Sequence, residues 1–509
     1  MKKLWITLIS LIVLLNACTQ KGSSILEATP TPAIEETVTL EKTAEYDELS
    51  GAPGAVNLTI VYTNDEHGWM AGEEAGSGAA ELAGIWATNF PESDLVLPIS
   101  GGDNWTGPAI STWFEGESMV ETMNEMGYVA SAIGNHEFDF DTTILSTRIK
   151  QANFPYLGAN IDYKADGNVP TDLGIQPYTI LDVLGLQIGI IGLAYQDTPS
   201  VTNPIFVSDL EFNDYEDALR EYVPQVRDAG VDLIIVPAHI CEWDLSQLVK
   251  DVEDLDIALF GGGHCHELFA DQASGAVMLG GGSNLRSYAF ATFEIDARTG
   301  DRELVDYGAE QNAGGTPNPQ VAEIVAHWQD LTDEALDVTI GYLEDDIEQR
   351  SDEMAALTTE AWLWAYPADV AITNWGGMRD RIPAGQVTYA SIVSVMPFEN
   401  ILMDVSLSGA ELLKVLASGD SIPAVGGISL QAGQWIFKKS GQPIEPEATY
   451  NLLTTDYLYA GGDGYRIAEF DPQAYNTAIN WRQPVIDWIL AQQSTPENPL
   501  DPAIQALLE

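Results

Sequence analysis

The sequence predicts an α/β layered fold for residues 56–315. Short apolar runs rich in β-branched residues recur through this region. Runs of this kind that end in glycine or polar residues are typical of buried strands. Helical stretches at 115–126 and 215–228 lie between them. Alternation of strands with helices indicates a layered α/β architecture.

Five of these runs share a further property, because acidic, amide or imidazole side chains follow each of them. The runs cover residues 58–61, 95–97, 129–133, 233–236 and 257–260. The clusters that follow are Asp65-Glu66-His67, Gly101-Gly102-Asp103, Asn135-His136-Glu137, His239 and His264-Cys265-His266. Open α/β sheets bind ligands at the carboxyl ends of their strands. We therefore expect the five clusters to converge on one site.

The sequence after residue 315 predicts a helical linker and a second domain. Residues 316–338 show helical spacing of their apolar side chains and contain few helix breakers. The second domain is predicted at 339–509, where a helix around 356–366 precedes a strand at 369–373.

The amino terminus has the composition of an export signal. Lys2 and Lys3 precede a short apolar stretch, which predicts a signal peptide at 1–17. Residues 18–55 are rich in Thr, Pro, Ser and Glu and predict a flexible tether. Cys18 directly follows Ala17, as in a bacterial lipobox. We predict a lipoprotein of the cell surface or periplasm, anchored to the membrane through a lipid on Cys18, with a secreted, unlipidated form as the alternative.

The charge of the chain is strongly acidic. There are 21 Lys and Arg residues against 77 Asp and Glu residues, a formal net charge of −56. This argues against binding of a nucleic acid polymer, or of an anionic membrane, through a basic surface. It does not argue against a small anionic substrate, because metal ions and a few arginines dominate the local field of a site.

The chemistry of the five clusters predicts a pair of metal ions. Carboxylate, amide and imidazole ligands together suit Zn, Mn, Co or Fe better than calcium. The clusters offer more ligands than one tetrahedral ion needs, so we predict two divalent ions that share a bridging aspartate. Such pairs are a common device for phosphate-ester hydrolysis. His136 would donate a proton to a substrate oxygen, and Asp139 would orient its ring.

Two further cysteines, Cys241 and Cys265, lie within the predicted site. An exported protein is able to pair them, but two cysteines do not make a disulfide framework. Cys265 alternates with His264 and His266, so we expect its side chain to point away from the metals as a small buried group. Its use as a further ligand is the alternative.

In this order, the motifs resemble those of the calcineurin-like metallophosphoesterases, and more specifically those of the 5′-nucleotidase family. The resemblance implies two metal ions bridged by Asp103. The ligands of one ion would be Asp65, His67 and His266. The ligands of the other would be Asn135, His239 and His264. His136 and Asp139 fall on the catalytic dyad of the family.

The second half of the chain carries its own motifs of this family. They are Asn374-Trp375-Gly376-Gly377-Met378-Arg379, Met396-Pro397-Phe398 and the segment from Tyr457 to Asp463. The resemblance implies that Arg350 and Arg379 bind phosphate. It implies nucleotide contacts for Asn374 and Gly376, stacking of the base by Phe398 and Tyr457, and binding of the ribose hydroxyls by Asp463. Trp375 replaces a glycine of the family and adds bulk near the expected substrate.

The resemblance also implies a four-layer α-β-β-α metallophosphoesterase sandwich, followed by a smaller α+β substrate-binding domain. The predicted function is an exported phosphohydrolase of nucleotide catabolism that removes phosphate from nucleoside 5′-monophosphates. Alternative activities are hydrolysis of a 2′,3′-cyclic nucleotide or of a nucleotide sugar such as a UDP-sugar. A non-catalytic nucleotide-binding lipoprotein is disfavoured, because all seven metal ligands of the family are present.

Overall fold

The computed structural model describes residues 37–39 and 55–508, apart from 73–75, 91–94, 184, 297–300 and 420–421. The predicted signal peptide, Cys18 and most of the predicted tether lie outside the described residues. Within the predicted tether, Thr37–Thr39 form a strand that pairs in parallel with Ile180, Leu181 and Asp182. Across the described part of the chain, every helix is too short or too polar to cross a bilayer.

The first part of the chain contains two large sheets and one two-stranded ribbon. Its strands are β1 (Thr37–Thr39), β2 (Ala55–Thr63), β3 (Leu95–Ser100), β4 (Ala130–Ala132), β5 (Tyr156–Leu157), β6 (Ile161–Tyr163), β7 (Tyr178–Val183), β8 (Leu186–Ile191), β9 (Leu210–Phe212), β10 (Leu233–Pro237), β11 (Leu259–Gly261), β12 (Leu268–Ala273), β13 (Ala276–Gly281), β14 (Ser287–Asp296) and β15 (Arg302–Gln311). Its helices are α1 (Ala79–Asn89), α2 (Ala109–Thr112), α3 (Glu117–Met126), α4 (Asp141–Gln151), α5 (Thr198–Val201), α6 (Tyr215–Asp228), α7 (Glu242–Asp251) and α8 (Pro319–Leu336).

The two sheets have the orders β1-β7-β8-β10-β11-β13-β12 and β15-β14-β2-β3-β4-β5. Side chains alternate between their faces with the period of two expected for a strand. In β2, Ile60 packs into the core between the sheets, whereas Val61 packs with the helices outside. In β10, Ile235 enters the same inter-sheet core and Val236 packs with α6 and α7. Both sheets therefore carry helices on their outer faces, and the predicted four-layer α-β-β-α sandwich is confirmed.

The predicted helices agree with the structure where capping residues mark their ends. The stretch predicted at 215–228 is α6, and the side chain of Asp214 accepts a hydrogen bond from the backbone of Asp217 at its start. The predicted linker is α8, which Asn318 caps and which buries Val321 and Trp328 against the core of the first part. The linker helix is thus packed on the first part of the chain.

The chain after α8 forms a mixed five-stranded sheet and two small β-ribbons. The strands are β16 (Thr339–Leu343), β17 (Val370–Thr373), β18 (Gly385–Thr388), β19 (Ile401–Ser408), β20 (Ala424–Gly426), β21 (Ile428–Gln431), β22 (Gln434–Phe437), β23 (Thr449–Thr455) and β24 (Tyr475–Asn480). The order in the five-stranded sheet is β20-β17-β23-β19-β24. The helices are α9 (Asp352–Ala365), α10 (Tyr389–Val395), α11 (Gly409–Val415), α12 (Asp456–Ala460), α13 (Ile467–Phe470), α14 (Gln483–Gln492) and α15 (Asp501–Leu508).

The first helix and strand of this part correspond to the predicted pair. Helix α9 begins four residues before the predicted start of 356, because the hydroxyl of Ser351 caps it by accepting from the backbone of Met354. Among the described strands, none on one side of α8 pairs with a strand on the other. The domain boundaries at 56–315, 316–338 and 339–509 stay a prediction, and the described chain lies within one compact unit.

Candidate metal centre and substrate cleft

The five predicted clusters meet although their strands belong to different sheets. Strands β2, β3 and β4 lie in one sheet and β10 and β11 in the other. Two of the contacts that join the loops across the sheets involve backbone atoms. The Nδ1 atom of His239 lies 2.8 Å from the carbonyl oxygen of Gly101, and the backbone N–H of His264 donates to Oδ2 of Asp65 at 2.9 Å.

The backbone at this meeting point is strained. Five of the seven predicted ligands adopt a left-handed conformation, with φ of +52° at Asp65, +46° at His67, +61° at Asp103, +70° at His264 and +59° at His266. Residues other than glycine seldom adopt positive φ, and each case costs about 1–3 kcal/mol. Strain concentrated in this way is characteristic of a functional site, because the surrounding fold must enforce it.

Asp65, His67 and His266 form one potential metal site. Their donor atoms lie within 4.8 Å of one another. Nε2 of His67 is 3.2 Å from Nε2 of His266, which is 3.4 Å from Oδ1 of Asp65. The other ring nitrogen of His67 lies 3.1 Å from the carbonyl oxygen of Thr106. That contact places the proton on Nδ1 and leaves Nε2 as a ligand atom.

Asp103, His239 and His264 form a second potential site of the same size. Oδ2 of Asp103 lies 2.9 Å from Nε2 of His239, and Nδ1 of His264 lies 3.0 Å from Oδ1 of Asn135. Asp103 also groups with His67 and His136 within the same 4.8 Å limit. It therefore lies between the two sets of ligands.

The side chains present fit divalent metal ions. Oδ1 of Asp65 is buried without a hydrogen-bond partner among the described residues, and the buried Nε2 of His239 contacts the carboxylate of Asp103 at 2.9 Å without hydrogen-bond geometry. Burial of an unpaired polar atom is costly, so such atoms require an explanation. A cation at each cluster would satisfy both, and nitrogen with oxygen donors suits the borderline divalent metals.

Local electrostatics keep two of the imidazoles, and Asp103, in the protonation state that binds a metal ion. Burial, supported by the charge of His239, lowers the pKa of His264 to about 4, and burial with the charge of Arg379 lowers that of His67 well below its usual value. Both imidazoles are therefore neutral. Burial opposes the ionisation of Asp103, but the positive charges of His239 and His136 outweigh it and hold the pKa of this carboxyl well below its usual range.

His136 and Asp139 form a buried pair beside the clusters. Nδ1 of His136 lies 2.6 Å from Oδ2 of Asp139, and the imidazole stacks on the ring of Phe398 at 5.8 Å. Burial lowers the pKa of His136, but the charges of Asp139 and Asp103 outweigh burial and raise it. The pair therefore favours a protonated imidazole whose orientation is fixed.

Residues from both halves of the chain line one cavity of about 220 Å³. From the first half it is lined by Asp103, Asn135, His136, Asp139, His264 and His266. From the second half it is lined by Asn374, Gly376, Arg379, Phe398, Tyr457 and Asp463. Six of the seven predicted substrate residues thus border the same space as the predicted catalytic dyad.

Hydrogen bonds join three of the residues that the second half of the chain contributes to this cavity. Asp463 accepts hydrogen bonds from Nδ2 of Asn374 at 2.8 Å and from the hydroxyl of Tyr457 at 2.5 Å. The same hydroxyl lies 3.1 Å from the carbonyl oxygen of Ser200, in the first half. At the metal end, Nη2 of Arg379 lies 3.3 Å from Nε2 of His67.

Arg350 is the predicted substrate residue that does not line this cavity. It lines a second cavity of about 610 Å³, together with Arg286, Arg381 and Glu348. The second cavity shares His266 and Arg379 with the first, so the metal clusters lie along the boundary of both.

Trp375 lines neither cavity. Its indole N–H donates to the carbonyl of Ile422 at 2.9 Å, and its ring packs against the core of the second half. The bulk expected in the substrate loop is therefore directed away from the cavity.

Two buried glutamates were given no role by the sequence. The carboxylate of Glu137 accepts the backbone N–H groups of Asp103, Asn104 and Gly134 at 2.7–2.8 Å. The carboxylate of Glu66 accepts from Ser100 at 3.0 Å and from Asn104 at 2.7 Å. Both hold the loops after β3 and β4 in place. Their position inside the ligand motifs is the sequence feature from which a structural role for them could have been predicted.

The prediction for Cys265 is wrong in its burial. Cys265 is exposed and forms a disulfide with Cys241. The two residues follow different strands, β10 and β11, and local alternation of side chains carries no information about that long-range pairing.

Comparison with known proteins gives related matches along most of the chain. Residues 337–469 match the family model of the 5′-nucleotidase C-terminal domain. The chain is 28% identical to Protein UshA of Escherichia coli K12, over 83% of this chain and 88% of that protein. It is 26% identical to a 5′-nucleotidase of Vibrio cholerae, over 88% and 92% of the two chains. The fold matches the crystal structure of a 5′-nucleotidase precursor from Thermus thermophilus, with a TM-score of 0.73, 23% identity and coverage of 86% and 97%.

Proposed function

The chain belongs to the 5′-nucleotidase family of metal-dependent phosphoesterases, and we propose that it removes phosphate from nucleoside 5′-monophosphates. The single observation that carries this proposal is the cavity shared by the two halves of the chain. His136 and proposed metal ligands line this cavity together with Phe398, Tyr457 and Asp463. A phosphate and a nucleoside joined by one ester bond match this combination of charged, metal-ligating and aromatic side chains.

The proposed ligands are Asp65, His67 and His266 for one metal ion and Asn135, His239 and His264 for the other, with Asp103 between them. When bound, the ions supply water activation and neutralise charge on the phosphate oxygens. Mn, Zn, Co and Fe all suit these donors. Two ions are proposed because the donor atoms divide into two groups that meet at Asp103.

The chain's own residues supply the remaining steps. Arg379 reaches the metal end of the cavity, where its guanidinium would bind phosphate oxygens. His136, whose protonated form the charge of Asp139 favours, would donate its Nε2 proton to the 5′ oxygen of the departing nucleoside. Phe398 and Tyr457 would flank the base, and Asp463 would accept hydrogen bonds from the ribose hydroxyls.

We also propose that the protein is exported, with the signal peptide at 1–17 and a lipid on Cys18. The disulfide supports an oxidising compartment, because structural disulfides persist mainly outside the cytosol. Radiolabelled palmitate incorporation in a bacterial host, compared with a Cys18→Ser variant, tests the lipid. Equal labelling of both forms would contradict it.

A substrate panel tests the activity. Metal-stripped, full-length protein is reconstituted with Mn²⁺ and given AMP, other nucleoside 5′-monophosphates, p-nitrophenyl phosphate and a 2′,3′-cyclic nucleotide. We expect nucleoside monophosphates to have the highest kcat/KM. A preference for the cyclic nucleotide, or equal use of all phosphate monoesters, would contradict the proposal.

The second cavity favours hydrolysis of a nucleotide sugar as a further candidate function. A monoester needs room on one side of its phosphorus, whereas a pyrophosphate-linked sugar carries a second substituent. The adjoining cavity of about 610 Å³ offers that room and is lined by Arg286, Arg350 and Arg381. The proposed test is Glu348→Trp, which adds bulk to the wall of this cavity. We expect lower kcat/KM for UDP-glucose with little change for AMP, and equal effects would remove the candidate.

A further inference from the structure

Two loops that carry proposed metal ligands are joined covalently. Cys241 lies two residues after His239 at the start of α7, and Cys265 lies between His264 and His266. The disulfide joins positions 24 residues apart and sets their Cα atoms 5.1 Å apart. Three of the four imidazoles in the proposed ligand set are therefore within two residues of this bond.

The loop around Cys265 requires support from outside itself. His264 and His266 both have positive φ, of +70° and +59°. Such conformations persist only where the surrounding structure determines them. Cys265 and His266 are also exposed, so packing of other residues over them contributes little to fixing the backbone of this loop.

Other contacts of the loop lie on both sides of the disulfide. The ring of His264 stacks on Tyr195 with 4.0 Å between centroids, and its backbone N–H donates to Asp65. Beyond His266, the carboxylate of Glu267 accepts the backbone N–H of Glu242 at 2.8 Å. The disulfide acts on the residue between the two ligands. It ties that residue to the start of α7, directly after the buried strand β10 that leads to His239.

We propose that the Cys241–Cys265 disulfide is a positioning element of the metal centre, which holds His264 and His266 in ligating geometry against His239. This inference rests on the proposed function, because it assumes the metal ligands assigned there. A loop fixed before a ligand arrives loses less conformational freedom on binding. Loss of the bond should therefore weaken metal binding beyond any effect on folding.

The test compares metal affinity with thermal stability in metal-stripped, full-length protein. Mn²⁺ is titrated into the wild type and into the Cys241→Ser, Cys265→Ser double variant, with free Mn²⁺ counted by electron paramagnetic resonance. We expect the dissociation constant to rise at least tenfold in the double variant. Ile504→Ala, which opens a cavity in the core of the second half, is the control. It should lower Tm and leave Mn²⁺ affinity unchanged.

The possible outcomes distinguish failure of the positioning role from failure of the proposed metal centre. Unchanged Mn²⁺ affinity in the double variant overturns the positioning role, even if its Tm falls. A wild-type protein that binds no Mn²⁺ contradicts the proposed metal centre instead. Equal weakening by Ile504→Ala would show that general destabilisation is sufficient, which also overturns the proposal.

If the double variant does not fold, the folded wild type provides the same comparison. A water-soluble phosphine takes oxygen from water and delivers two electrons and two protons to the S–S bond, which yields the phosphine oxide and two thiols. Release of Mn²⁺ to a chelator is timed before and after this reduction, with circular dichroism confirming the fold. Faster release after reduction supports the proposal, and equal rates overturn it.

Discussion

Asp139 accepts a hydrogen bond from Nδ1 of His136 at 2.6 Å, and both side chains are almost fully removed from solvent. The contact fixes which ring nitrogen faces Asp139 and leaves Nε2 for the substrate. The charge of Asp139 is also the largest influence that raises the pKa of His136 against the opposing effect of burial. One carboxylate thus sets both the orientation and the protonation of the proposed acid.

The first prediction concerns this pair. His136→Ala should retain nearly normal metal content and lose about 10²–10⁴-fold in kcat, the usual contribution of a positioned acid or base. Metal content by mass spectrometry and kcat on AMP measure the two effects. Loss of metal with unchanged activity per bound metal would identify His136 as a ligand.

The Asp139→Asn variant tests the same pair independently, through the pH dependence of kcat. The protonated form of His136 is the active one, so activity falls as pH rises through its pKa. Removal of the charge that raises this pKa should move the alkaline fall of kcat to lower pH. Asp141→Asn is the matched control, since Oδ1 of Asp141 accepts the backbone N–H groups of Thr143 and Ile144 at the start of α4 and an asparagine oxygen is able to accept them too. An unchanged alkaline limb in Asp139→Asn would exclude this role.

The second prediction concerns the proposed bridge, Asp103. Chelation by EDTA should abolish hydrolysis, and Mn, Co or Zn should restore it. Asp103→Ala should lose at least one metal ion and nearly all activity, because this carboxylate lies between both groups of ligands. Full turnover by metal-stripped Asp103→Ala protein would contradict a dinuclear centre.

The third prediction links metal binding to proton release. Burial lowers the pKa of His239, but Asp103 outweighs burial and raises it to about 10. The metal-free protein therefore holds a proton on His239 at neutral pH, and a metal ion must displace it. Metal affinity should rise with pH between about 6 and 9, with close to one proton, that of His239, released per protein molecule at pH 7.

Calorimetry of Mn²⁺ binding in buffers of different ionisation enthalpy measures this proton count. Release of no proton at pH 7 would show that His239 is neutral before the ion binds. His67 and His264 should add little to the count, since their pKa values are lowered and both are already neutral.

The sequence was sufficient to predict the local elements and the candidate residues that the structure brings together. Strand β10 is a continuous apolar run, and helix α6 has periodic apolar residues and a capping Asp214. The residue types in the five clusters indicate the proposed chemistry without coordinates. Which sheet each strand joins was not predictable from the same signals, because β2 and β10 have the same apolar pattern and belong to different sheets. The pairing of Cys241 with Cys265 and the three backbone hydrogen bonds to Glu137 depend on how the strands are arranged, so the sequence did not predict them.

The fourth prediction follows from Glu137. Glu137→Gln keeps the shape of the side chain but replaces one acceptor oxygen with a donor, which leaves at least one buried backbone N–H without a partner. The expected loss is about 1–3 kcal/mol in the free energy of unfolding. Metal affinity should also fall, because the affected N–H groups include that of Asp103. Glu125→Gln, on the exposed face of α3, is the control, and equal stability of the two variants would contradict this role.

The last prediction concerns the aromatic end of the cavity. Phe398 and Tyr457 both line it, and stacking of a base on an aromatic ring contributes about 1–3 kcal/mol. The double variant Phe398→Ala, Tyr457→Ala should raise KM for AMP by one to two orders of magnitude, while KM for p-nitrophenyl phosphate changes little. Phe398 also stacks on His136, so KM, and not kcat, is the measure of base stacking.

Tyr457→Phe separates stacking from hydrogen bonding, because it keeps the ring and removes the hydroxyl that contacts Asp463 and Ser200. It should retain most of the affinity for AMP. Equal rises in KM for AMP and p-nitrophenyl phosphate in the double variant would identify these rings as packing residues and would reduce the proposed function to that of a general phosphomonoesterase.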